Sequence, residues 1–580
     1  MDTAPPSAWS PLCALADLPV GRSRLFKTPR LPVALFHTEG GHLFASDNRC
    51  PHEGYPLTQG DVSGCVLTCK WHNFKFNLED GACLVGEEDL RVLPVRVVDG
   101  WVEVDLREPA PQAAIERAKK SLDLGLFENE LGRVARDTAR LLDLGVSPEA
   151  LLLHAARWDA DHAEWGTTHA LPVAADLLDW LPRRPGLDAT AVILPAMELA
   201  ARGSVRRLPR PRPAPLPVDA DPERVFAALR SAVEAERAAE AEGIFFGAWG
   251  AGIGWSVVRD WLLRLAADHF LDFGHELIFV EKLNRLARAA ASLPEGREAL
   301  GALTGTLIYR FVYATREEQL PPWIGWSRKV AALDLPALGA SLARGEGPAA
   351  VGLVDALLAE DQTTVIDALR GAIDAGTAPQ RLIDALVEAA ARRLLRFDPA
   401  WDLDPTVQDS WLSVSHPLTH AHALRTALPR LSGEEGLRLL FFAARFIHAA
   451  HPLDGAGPAA EAATSAVSPS LADLHAAIRH REPARAVVVG EAMLHAGLDL
   501  EGSLRDYLLA APATEPIFVA HQIKTAVVAL AERRLTGSAT PLLAVLRWFA
   551  SPMVERRLAQ RAHEAVLLIR EGRPPRVLGP

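Results

Sequence analysis

Cysteine is scarce and confined. Only five occur in 580 residues (Cys13, Cys50, Cys65, Cys69 and Cys83), and none lies beyond residue 83. So few thiols cannot staple so long a chain, which excludes a disulfide scaffold and assigns any thiol chemistry to the N-terminal stretch. An excess of positive charge is also missing. The 61 Lys and Arg face 73 Asp and Glu, for a net charge of −12, which leaves no global field for nucleic acid or an anionic membrane. Long apolar runs are absent as well: the longest uncharged stretch, Gly243 to Val258, falls short of the ~20 residues a bilayer span needs. The first twenty residues lack the basic start and apolar core of a secretory signal. These absences predict a soluble, cytoplasmic protein, of two or more domains at roughly 100–200 residues each.

Two textures follow one another along the chain. Residues 10–107 carry short β-rich runs (PVALFHT, HLFASD, CVLTC, FKFNL, LPVRVVDG, WVEVDL) broken by Gly and Asp turns. From Pro109 onward the pattern becomes helical, as in ELGRVARDTARLLDLG, RVFAALRSAVEAERAAEAEG and EGLRLLFFAARFIHAAHPLDG, with apolar residues three and four apart. The expected class is α+β and multidomain: an all-β domain over 10–107, then a large all-α domain over 111–580. Alternating prolines between Arg206 and Pro217 (RRLPRPRPAPLP) predict an extended linker or surface strap. No repeat of fixed period is evident.

Within the β-rich part, Cys50-Pro51-His52 is followed after sixteen residues by Cys69-Lys70-Trp71-His72. The pattern C-x-H-x16-C-x2-H suits a mixed-ligand [2Fe–2S] cluster, two thiolates on one iron and two neutral imidazoles on the other. A zinc site from the same four residues is the alternative, although zinc spacings usually pair C-x2-C with a later His or Cys pair. On these residues the stretch 10–107 resembles the Rieske ferredoxin domain, which implies Cys50, His52, Cys69 and His72 as ligands of the cluster. The resemblance also implies one-electron transfer at an exposed His edge. Asn73 departs from the Gly that many relatives place after the second His. Respiratory members carry an extra, disulfide-forming cysteine in each loop. Here Cys65 and Cys83 lie elsewhere and read as buried small hydrophobes, so the ferredoxin-like branch fits better.

The helical part is rich in histidine. In DHFLDFGHE a continuous helix would set His269, Asp272 and Glu276 on one face, with His275 three residues beyond Asp272. Asp159-x2-His162 repeats that spacing. His416 and His420 lie four apart beside His422, His448 and His451 three apart, and His521 is alone on the apolar stretch IFVAHQIKTAVVAL. The string Asp473-x-His475-x4-His480 misses the D-x2-H-x4-H triad of ring-hydroxylating oxygenases by one residue and is read as chance. For each pair, a satisfied core or surface histidine is the alternative. Gly243, Gly247, Gly250 and Gly254, with Trp249 and Trp255 near them, suit either tight packing or a slot for a flat ligand. No dinucleotide fingerprint is present. The segments FLDFGHELIFVEKL and SHPLTHAHALRTALP are similar to stretches of the questin oxidase-like family, helical oxidases of polycyclic aromatic substrates; the similarity implies oxygen chemistry.

The combined expectation is a Rieske oxidoreductase. A separate reductase supplies electrons, and the [2Fe–2S] cluster relays them to the helical domain, which oxidises a small aromatic or apolar substrate with O2. His269, Asp272, His275, His416 and His420 are the candidates for its catalytic pocket, with a non-haem iron as the candidate additional cofactor. An oligomer is compatible with this reading. The alternative is a non-catalytic electron-transfer or redox-sensing protein whose helical domain docks a partner.

Overall fold

The structure, a computed structural model, describes residues 9–86, 88–107, 110–182, 186–404, 407, 410–455, 469–510, 515–553 and 558–572. The chain divides into two compact units, Met1–Val146 and Ser147–Pro580. The change of texture at Pro109 therefore precedes the structural break by two helices, Pro111–Glu128 and Leu131–Asp143.

The first unit holds eleven described strands in three antiparallel sheets: β1 (Trp9–Ala14), β2 (Arg22–Lys27), β3 (Pro32–His37), β4 (Leu43–Asp47), β5 (Asp61–Ser63), β6 (Val66–Thr68), β7 (Lys75–Asn77), β8 (Cys83–Val85), β9 (Val92–Leu93), β10 (Val95–Val98) and β11 (Trp101–Asp105). Their orders are β1-β11-β10, β2-β3-β4-β9 and β5-β6-β7-β8. Strand β3 reads as an unbroken apolar run because both its faces are buried. Val33 and Leu35 join one core with Val102 and Val104; Ala34 and Phe36 join another with Cys50, Leu67, Cys69 and Phe76. The Asp99-Gly100 dipeptide turns β10 into β11 with both residues at positive φ, the conformation a two-residue hairpin prefers.

Beyond β11 the regular elements among the described residues are helical, with twenty-three α-helices. Ordinary signals set their ends, such as the capping box of Ser432 and Glu435 on the Gly433–Ala449 helix. No helix of the described residues is long and apolar enough to cross a membrane. The Pro516–Thr536 helix lies in the core, and every residue from Phe518 to Leu530 is buried. Residues 206–217 form neither helix nor strand. They run over the Ala238–Gly250 helix, where Leu216 N donates to the Gly243 carbonyl at 2.8 Å. A Cβ on Gly247 would lie 1.9 Å from the Leu216 carbonyl oxygen. Gly243 and Gly247 therefore admit the strap rather than a flat ligand.

The continuous helix expected through His269 and Glu276 is broken. One helix ends at Asp268 and the next begins at His275. Between them Asp272, Phe273 and Gly274 take consecutive positive φ values of 43°, 57° and 72°. Left-handed backbone cannot continue a right-handed helix, so His269 is the extended C-cap of the first helix and Glu276 lies on the second.

Candidate metal centres

In the first unit two loops repeat one construction. Cys50 N donates to the Tyr55 carbonyl and Gly54 N to the Cys50 carbonyl. In the same way Cys69 N donates to the Phe74 carbonyl and Asn73 N to the Cys69 carbonyl, all at 2.8–3.0 Å. The fourth residue after each cysteine must be left-handed: Gly54 has φ 77° and Asn73 φ 60°. Asparagine is among the few side chains that tolerate this region, which explains how Asn73 can occupy it.

These loops bring Cys50, His52, Cys69 and His72 together. Both thiols are buried, and each is within hydrogen-bonding reach of the other. Burial pushes the Cys50 thiol up to about 11, while the N–H groups of His52 and Glu53, aimed at its sulfur, act in the opposite direction. The two imidazoles sit further out with Nδ1 atoms 3.2 Å apart. Phe74 stacks on His52 at 4.5 Å, and the exposed Trp71 stacks on Tyr55 at 4.0 Å. A buried thiol pair beside an imidazole pair matches the donor set of a [2Fe–2S] cluster with two Cys and two His ligands. Cys65 and Cys83 are half-buried free thiols, and Cys83 packs against the neighbouring core.

The second unit assembles a different centre. His169, His275, His416 and His521 each direct one ring nitrogen inward, and the four atoms lie within 4.8 Å of one another. They come from four helices. His169 is the N-cap of Ala170–Leu177, His275 opens His275–Ala290, and His416 and His521 lie inside Ser410–Ala427 and Pro516–Thr536. Three of these rings have their tautomer fixed by main-chain acceptors. His275 Nδ1 donates to the Asp272 carbonyl (2.5 Å), His416 Nδ1 to Leu412 (3.1 Å) and His521 Nδ1 to Ile517 (2.7 Å). Each Nε2 is therefore a lone pair. Nε2 of His275 and of His416 face each other at 3.0 Å, and Nε2 of His169 and of His521 have no hydrogen-bond partner. Burial drives all four pKa values well below the usual histidine range, so the rings are neutral, the form that binds metals.

The surroundings hold these rings in place. Asp159 accepts from Thr168 N (2.6 Å) and Thr168 Oγ1 (2.7 Å), fixing the turn before His169. Lys282 and Asp176, paired at 2.8 Å, join the helices bearing His275 and His169. Glu532 binds His422 (2.5 Å) and Arg425 (2.6 Å), joining the helices of His416 and His521. One turn beyond His521 lies Lys524, fully buried, its Nζ without a hydrogen-bond partner and its pKa pushed down by burial to about 7. Glu276 beside Arg310 is pushed up by burial to about 8.

Of the five residues expected in the pocket, His275 and His416 meet in this cluster. His420 lies one turn from His416, against Gly274 and Phe270. Asp272 contributes its carbonyl to His275 and its carboxylate to Arg310. His269 sits apart, between Glu318 (2.7 Å) and Glu234 (2.9 Å). The Asp159-x2-His162 pair does not form a site: Asp159 faces Thr168, and His162 stacks on Trp158. His169 is the member that sequence reasoning missed, since no spacing marks it. His521, singled out in the sequence only as alone on an apolar stretch, had a further signal in Lys524, because a His and a Lys on a helix apolar all round have no solvent to face.

The Rieske [2Fe–2S] domain family matches residues 8–94. The anthranilate 1,2-dioxygenase ferredoxin subunit of Burkholderia cepacia is 32% identical over 108 residues, 18% of this chain and 99% of that protein. The 3-phenylpropionate/cinnamic acid dioxygenase ferredoxin subunit of Escherichia coli K12 is 31% identical over 102 residues, 17% of this chain and 94% of that one. Among solved structures, the Sphingomonas yanoikuyae B1 ferredoxin is 27% identical, covering 17% of this chain and 98% of its own, with a TM-score of 0.16. Each of these matches spans less than a fifth of the chain. The chain belongs to the Rieske [2Fe–2S] family: its N-terminal domain is an iron–sulfur electron-transfer domain, and a large helical region follows it.

Proposed function

We propose that Cys50, Cys69, His52 and His72 hold the cluster, which takes electrons singly from a separate reductase. In this reading the helical unit uses such electrons to oxidise a small aromatic or apolar substrate with O2. His169, His275, His416 and His521 would hold a metal ion there, and iron suits a chain that also carries an electron-transfer domain. When bound, iron supplies one-electron redox chemistry and a place for O2. The protein's own part is to keep four imidazoles neutral by burial and to aim three of them through the Nδ1 bonds to Asp272, Leu412 and Ile517. The buried Lys524 amine lies beside them. Asp272, His420 and His269 become positioning groups: Asp272 orients His275, His420 packs against the Gly274 turn, and His269 holds Glu234 and Glu318.

One observation carries the reading. Two Nε2 lone pairs 3.0 Å apart repel unless a cation stands between them, and burial disfavours a proton in that role.

The test is iron and zinc per chain on anaerobically purified protein, with EPR after dithionite reduction. Wild type is compared with His52→Ala and with a His275→Ala/His416→Ala double variant. The expected result is a metal ion beyond the cluster, retained by His52→Ala and lost from the double variant, whose cluster signal persists. Metal confined to the cluster would overturn the oxidase reading and leave an electron carrier or redox sensor whose helical region docks a partner.

A further inference from the structure

The Leu131–Asp143 helix lies beyond the residues matched by the Rieske family, yet it contacts the first cluster loop. Arg140 donates through Nη2 to the carbonyl of Pro51, the residue between Cys50 and His52, at 3.3 Å. The same Nη2 binds Glu88 at 3.0 Å, and Arg136 Nε holds the other Glu88 oxygen at 2.7 Å. Arg140 Nη1 is anchored on the buried Asp137 at 2.7 Å. Glu88 is itself 2% exposed. It lies two residues past Gly86, where a Cβ would stand 2.4 Å from the Phe74 ring that stacks on His52. Arg140 therefore reaches the first ligand loop directly, at Pro51, and holds Glu88, which lies close in sequence to the Gly86 packed on Phe74.

A guanidinium stays charged at every working pH. Reduction adds one negative charge to the cluster, and charges and hydrogen bonds around such clusters set their potentials. We propose that Arg140 is a positioning residue that sets the potential of the cluster. It fixes the Pro51 loop and favours the reduced state, with Glu88 as the counter-charge that limits this effect. The step it tunes is the gain of one electron from a one-electron donor, with no bond made or broken. The inference needs the cluster alone and stands or falls independently of the reaction proposed for the helical unit.

The experiment is a redox titration of the full chain, reduced with dithionite in the presence of mediator dyes. Wild type, Arg140→Gln, Arg140→Lys and Glu88→Gln are compared, with iron and sulfide measured on each. Arg140→Gln should lower the reduced-to-oxidised ratio at a fixed potential by about three- to tenfold, tenfold being 59 mV for one electron. Arg140→Lys should recover part of this. Glu88→Gln, which removes the counter-charge, should shift the ratio the other way. A fully loaded Arg140→Gln protein with the wild-type potential would overturn the proposal. So would Glu88→Gln lowering the ratio, since a purely structural role moves both variants in one direction. If Arg140→Gln fails to hold its cluster, Glu88→Gln decides: a raised ratio supports the proposal, and an unchanged or lowered one overturns it.

Discussion

Gly274 and His420 touch where any side chain on the former would collide: a Cβ at Gly274 would stand 2.6 Å from Cδ2 of His420. Gly274 is also left-handed, with φ 72°, and it immediately precedes His275. Substitution Gly274→Ala should therefore cost about 3 kcal/mol, from backbone strain plus overpacking. It should also displace His275 and lower metal retention in the helical unit. Denaturant unfolding and metal analysis of the variant check both.

Asn73 can be probed from two sides. Its φ of 60° suits Gly as well as Asn, so Asn73→Gly should leave cluster content unchanged and stability within about 0.5 kcal/mol. A β-branched residue cannot settle there, and Asn73→Val should cost about 2 kcal/mol with lower iron and sulfide per chain. Equal behaviour of the two variants would contradict the loop geometry.

The Glu532 clamp predicts an acid dependence. Burial pushes the Glu532 carboxyl up, but hydrogen bonds from His422 and Arg425 outweigh it and hold the pKa below the usual glutamate value. A carboxyl with a depressed pKa in the folded state stabilises it above the unfolded pKa, about 4.3, and loses that contribution as pH falls through the folded value. Glu532→Gln should thus destabilise the protein by about 3 kcal/mol at pH 7. The gap from wild type should stay flat down to about pH 5 and close below about 4.3. Denaturant midpoints measured across that range give the comparison.

Gly247 should be needed for the strap to seat. An added Cβ would sit 1.9 Å from the Leu216 carbonyl oxygen, so Gly247→Ala must lift residues 206–217 at about 1–3 kcal/mol. Trypsin should then cleave after Arg207 faster than in wild type. Undiminished resistance would mean that the strap adapts locally.

Sequence alone determined the cluster motif of the N-terminal domain. The four residues of the cluster motif fall within two short loops, and each loop closes through its own main-chain bonds, from Cys50 to Tyr55 and from Cys69 to Phe74. Local spacing is then enough to announce the donor set. The switch from alternating strands to three-and-four periodicity at Pro109 is local too. The histidine centre was not legible in this way. His275 and His416 are 141 residues apart, and only the packing of four helices, joined by Asp176–Lys282 and Glu532–Arg425, brings them to 3.0 Å. Left-handed residues 272–274 broke the helix that spacing predicted, and so turned His269 away from His275. Tertiary structure decided which histidines meet, because a ligand set drawn from separate helices has no fixed spacing in the chain.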